Sequence, residues 1–181
     1  MKSQLSYLFA LLLVCVVSGC SSATPTTRDY LLSNPDQPSA SDTSCNIRVG
    51  SATVAPYLQR THIVLQNGTN ELVPAVRHRW SEPLEAGVSR LLTRCLGNGG
   101  QSGHKANVHI DHLHGSTEGR VVIQARWSVS GVEASDVQAP VERQFTSSMP
   151  QPVAGYDALV SSQRALVLEL CADIKSSVPD C

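Results

Sequence analysis

Ser81-Glu82-Pro83-Leu84-Glu85-Ala86-Gly87-Val88-Ser89-Arg90-Leu91-Leu92-Thr93-Arg94-Cys95-Leu96-Gly97 is the stretch whose periodicity decides the fold. Leu84, Val88, Leu91, Leu92, Cys95 and Leu96 recur three and four residues apart, while Glu85, Ser89, Arg90, Thr93 and Arg94 fall on the opposite side. That is the pattern of an amphipathic helix. Pro83 suits the first turn, Glu82 and Glu85 sit at its positive end, and Gly97 suits the stop. On both sides of this helix the period changes to two. Upstream, residues 61–66 and 71–75 flank Asn67-Gly68, a strong hairpin signal. Downstream, Ala106, Val108 and Ile110 alternate, and so do Val121, Ile123, Ala125, Trp127 and Val129, with Gly115-Ser116-Thr117-Glu118-Gly119 as the turn between them. A further strand is predicted near residues 141–146, after Pro140. Helical spacing returns from about 157 to 177 in Tyr156, Leu159, Val160, Leu166, Val167, Leu170, Cys171 and Ile174. The prediction is an α+β domain: an antiparallel or mixed sheet of about six strands, with two helices packed on one face.

The chain has 181 residues, enough for one ordinary domain with extras. Hydrophobic residues make up 41% and charged residues 16%, with only two Trp, four Tyr and two Phe, so the core must be aliphatic. The formal net charge is −1 and the 14 Lys and Arg form no basic run, which argues against nucleic acid as a partner.

At the amino terminus Lys2 precedes an apolar stretch over residues 7–17. That is shorter than the roughly 20 residues a spanning helix needs. Its charge, apolar centre and small-residue ending are those of a secretory signal peptide. Val17-Ser18-Gly19-Cys20 resembles the lipobox of bacterial lipoproteins, in which the Cys thiol takes a diacylglycerol and becomes the first mature residue. The resemblance makes residues 1–19 the signal peptide, 20–29 the lipidated Cys20 and its tether, and 30–181 a single domain. It implies attachment to a membrane through lipid, without spanning. Ser21 stands where an Asp would resemble the inner-membrane retention signal, which favours the outer membrane and its periplasmic face. Cys15 leaves with the signal peptide, so Cys45, Cys95, Cys171 and Cys181 remain in an oxidising compartment with three possible pairings. Cys95 and Cys171 both fall on apolar helix faces and are the favoured pair, which leaves Cys45 with Cys181.

Candidate chemistry is sparse. Gly103-His104-Lys105-Ala106 breaks the spacing and the final hydroxyl of a phosphate-binding loop, and Gly115-Ser116-Thr117-Glu118-Gly119 puts Thr where a nucleophile elbow needs Ser. His109, Asp111, His112 and His114, with His104 nearby, form the one cluster of ligand types. Residues two apart share a strand face, so His112 and His114 are placed to meet a metal together, with Asp111 and His109 pointing away. A catalytic zinc would need a third ligand and a base. Polar residues at a strand end explain the cluster without a metal, so no metal or cofactor is assigned. Metal binding by His112 and His114 remains the less favoured alternative.

Val54-Ala55-Pro56-Tyr57-Leu58-Gln59-Arg60-Thr61-His62-Ile63-Val64, followed by Arg79-Trp80-Ser81-Glu82-Pro83-Leu84, resembles the paired signature of the PqiC (YmbA-type) lipoproteins, the ABC-type transport auxiliary lipoproteins of Gram-negative envelopes. The order of elements agrees over about residues 28–178, from the Tyr30-Leu31-Leu32 strand to the C-terminal helix. The four mature Cys are a departure from the pattern. The resemblance implies a non-enzymatic, periplasm-facing outer-membrane lipoprotein. It would work with an MCE-domain tunnel protein and an inner-membrane subunit in moving lipids between membranes, as a ring-like homo-oligomer docked on the tunnel's end. Among the signature residues, Tyr57 and Leu58 are expected to enter a strand, and Trp80 and Pro83 to fix the strand-to-helix corner. Glu82 is expected to stabilise the helix start, and Arg60 either to pair with Glu82 or to face a partner. The competing reading is a solitary lipoprotein that binds a lipid in an apolar cleft.

Overall fold

Both amphipathic stretches fold as helices and meet over one face of a sheet, and their apolar stripes meet there. The computed structural model describes residues 26–34, 36, 47–97, 104–131 and 142–178. In chain order they form β1 (Arg28–Tyr30), β2 (Ile47–Val54), a single 3-10 turn (Pro56–Leu58), β3 (His62–Asn67) and β4 (Glu71–Trp80). There follow α1 (Leu84–Leu96), β5 (His104–Ser116), β6 (Arg120–Ser130), β7 (Arg143–Pro150) and α2 (Tyr156–Ser176). The sheet is mixed and seven-stranded in the order β1-β4-β3-β5-β6-β7, with β2 beside β5. β5 is long enough to take two parallel neighbours on one edge: β2 along His104 to Ile110, and β3 at Gly115 and Ser116.

In α1 all six residues of the predicted stripe are buried, and in α2 Leu159, Val160, Leu166, Val167, Leu170, Cys171 and Ile174 are buried. They pack on Ala106, Val108, Ile110, Leu113, Val121, Ile123, Ala125 and Trp127 of β5 and β6. Trp127 Nε1 also donates to Asp173 of α2 at 3.1 Å. Cys95 of α1 and Cys171 of α2 are joined by a disulfide that links residues 76 apart in sequence. α1 ends at Gly97, whose φ of 103° suits a residue without Cβ and whose N–H reaches the Thr93 carbonyl. Cys20, Cys45 and Cys181, and with them the second disulfide, lie outside the described residues.

The seventh strand is β2, which alternation did not reveal. Ile47 and Val49 face inward before Gly50, and Ala52 and Val54 after it, because a bulge at this point shifts the register with β5. A Cβ on Gly50 would fall 2.1 Å from Lys105 Cε, so a larger residue there would have to displace the Lys105 side chain. β4 runs on to Trp80 past the predicted end at residue 75, β7 runs to Pro150, and pairing starts at Arg28, within the stretch read as tether.

Candidate functional site

The two signature segments are neighbours. Trp80 N–H donates to the Thr61 carbonyl at 2.8 Å, and His62 stands opposite Arg79 across β3 and β4. Trp80 is buried beneath this crossing, and Pro83 occupies the residue before α1, its carbonyl accepting from Ala86 N–H at 2.9 Å. The corner is therefore structural, as the sequence suggested.

Tyr57 and Leu58 do not enter a strand. They form the 3-10 turn that follows β2, because Pro56 fixes the first helical φ and removes an N–H from pairing. Leu58 drops into the core, while Tyr57 turns to the sheet face away from the helices and hydrogen-bonds His112 Nδ1 at 3.0 Å. Partial burial pushes the Tyr57 hydroxyl up to about 12. Arg60 does not pair with Glu82. Glu82 is taken by Arg90, one helical turn and more into α1, through two bonds of 2.7 and 2.8 Å, while Arg60 stays exposed. The signature residues therefore divide: Leu58, Trp80, Glu82 and Pro83 build the scaffold, and Tyr57 and Arg60 remain for the surface.

The histidine cluster lies on the same open face, and a bulge corrects the expected orientation of its members. Register shifts between Ile110 and His112, so Asp111 is the extra residue on β5. His109, His112 and His114 stand opposite Arg126, Gln124 and Val122 and share one face, with Asp111 reaching Arg126 on that face. Asp111 and His109 thus point the same way as His112 and His114. Thr53 meets His109 Nδ1 at 2.8 Å, and His109 Nε2 lies 3.5 Å from Asp111. The order resembles a hydroxyl–imidazole–carboxylate chain, but Asp111 is held by Arg126 through bonds of 3.0 and 3.1 Å. Arg126 keeps the Asp111 carboxyl below its ordinary value. The row is a set of cross-strand pairs on a solvated surface.

A groove of about 570 Å³ opens between Tyr57, His112, His114, Leu72 and Thr146, with Val122 and Ile123 on its floor. His112 and His114 meet edge to face at 5.7 Å. His114 is buried under the Tyr57 ring, and burial lowers its affinity for a proton. Among the described residues no three His, Cys, Asp or Glu side chains converge on a point that would hold a metal ion. No described helix is long and apolar enough to cross a membrane.

Fold and site together define an α+β scaffold with one helix-covered face and one open polar face. Residues 30–175 match the sequence profile of the ABC-type transport auxiliary lipoprotein component family, and the chain belongs to that family. Among solved structures, an uncharacterized protein is similar with a TM-score of 0.69 at 21% identity, over 84% of this chain and 98% of its own. A Xanthomonas campestris protein of the DUF330 family is similar with a TM-score of 0.62 at 16% identity, over 86% and 93%. No curated protein is significantly similar to the chain.

Proposed function

We propose that the protein is a non-enzymatic accessory subunit of an MCE-type intermembrane lipid transport system. It is held by lipidated Cys20 on the periplasmic face of the outer membrane of a Gram-negative bacterium and docks as a homo-oligomer on a periplasmic tunnel protein. The observation that carries this reading is the family match over nearly the whole domain. Two features support it. The described sheet is open, with β7 at one end of its order, and an unpaired strand edge suits assembly between chains. The open face presents Tyr57 and the histidine row, hydrogen-bonding groups suited to a protein partner.

The test is native mass spectrometry of the lipidated protein extracted in mild detergent from its own envelope. The expected result is a defined higher oligomer with an MCE-domain protein bound. A monomer carrying a stoichiometric lipid would replace this reading with that of a solitary lipid-binding lipoprotein.

A further inference from the structure

Five large hydrophobic side chains are exposed among the described residues, and three of them lie toward one end of the sheet: Val73 and Val76 of β4, exposed by 38 and 78%, and Val153 before α2, exposed by 65%. Val73 stands opposite Leu65, which lines one cleft with Val153 and Tyr156. Their proximity follows from the pairing. His78, two residues beyond Val76, stacks on Tyr156, three residues beyond Val153, with ring centroids 3.7 Å apart. Exposed valines on two separate elements therefore flank one aromatic stack, which Tyr30 joins through a 2.9 Å bond to His78.

β1 runs parallel to β4 with Arg28 beside His78, so Thr26 and Thr27, the described residues before it, lie on the Val76 side of the pairing. Thr26 is six residue steps from Cys20, and extended chain of that length reaches no farther than about 20 Å. An acyl group on Cys20 would therefore keep this end within about 20 Å of the lipid. Arg28 and Arg77 are exposed beside Val76 and, among the described residues, have no carboxylate partner, whereas Arg79 next to them is paired with Asp29. Exposed aliphatic side chains flanked by cations and tyrosines are the composition of a surface that rests in a phospholipid boundary.

We infer that this end of the domain lies against the phospholipid surface that holds the anchor, with Val73, Val76 and Val153 among the headgroups and Arg28 and Arg77 on lipid phosphates. The inference deepens the proposed function and rests on its anchor at Cys20. The domain then stands upright on its membrane through two attachments, and its open face stays free for a partner.

The test uses the mature lipidated protein in vesicles of phosphatidylethanolamine and phosphatidylglycerol whose acyl chains are brominated, which quench tryptophan on contact. Val76→Trp reports on the proposed surface, and Ala172→Trp reports from the exposed far end of α2. The native Trp80 and Trp127 are buried and give a constant background. The expected result is at least twofold quenching of the added Val76→Trp emission with Ala172→Trp unchanged. Equal, weak quenching at both positions in protein that floats with the vesicles overturns the surface contact and leaves the anchor standing. Protein that does not float with the vesicles overturns both.

Discussion

The two faces of the central sheet are built from the same strands and obey different rules. Toward α1 and α2, β5 and β6 present Ile110, Val121, Ile123 and Ala125 with no measurable exposure. On the other face the same strands present His109, Asp111, His112 and Arg126, joined by polar contacts and in touch with water. The covered face fixes the fold by excluding water from aliphatic side chains. The open face contributes little to that and is free to carry recognition. Burial and solvent exposure are thus divided between alternate residues of single strands.

The comparison breaks most visibly if the helix layer is loosened. The Cys95–Cys171 bond closes a loop of 76 residues within the covered side. A loop of that length lowers the entropy of the unfolded chain by an amount worth about 4 kcal/mol. The Cys95→Ala, Cys171→Ala double variant is therefore expected to lose roughly that much in a denaturant titration, with a steeper slope because the released chain exposes more surface when unfolded. A loss below about 1 kcal/mol would mean that packing alone holds the helices together.

A smaller effect sharpens the contrast from the open side. Burial lowers the His114 pKa below its ordinary value of 6.5, so the folded state binds this proton less readily than the unfolded chain. Its contribution to stability is present above about pH 6.5 and is lost as pH falls from there toward the folded value. Thermal midpoints at pH 7.5 and 5.5 should therefore fall further apart in the wild type than in His114→Gln. Equal differences would place the ring in water.

The covered face was legible because burial repeats at a fixed period. The stripe from Leu84 to Leu96 and the alternation from Val121 to Trp127 follow directly from the spacing of apolar residues. What escaped was set by single residues that shift a register. Gly50 moves the inward positions of β2 from odd to even numbers and hid that strand, and Asp111 moves those of β5 from even to odd, turning four side chains to one face. The pairing of Glu82 with Arg90 in place of Arg60 depends on where a turn of helix brings a guanidinium, which a list of charges does not give. Gln163 is buried on the covered side because its Nε2 donates to the Leu113 carbonyl at 3.2 Å, a partner on another element that helical periodicity cannot anticipate. Exposed residues outside the core carry no apolar period, and Arg60 and Tyr57 were singled out only by their place in the signature segment.

The central claim is that the protein acts as an anchored accessory of envelope lipid transport. The most direct measurement replaces the chromosomal copy with Cys20→Ala in cells lacking any paralogue and follows both the protein's location and the resistance of the envelope to detergent. The account predicts a stable protein that leaves the outer membrane and a barrier as weak as in the deletion strain. A full barrier with the protein free in the periplasm would contradict it.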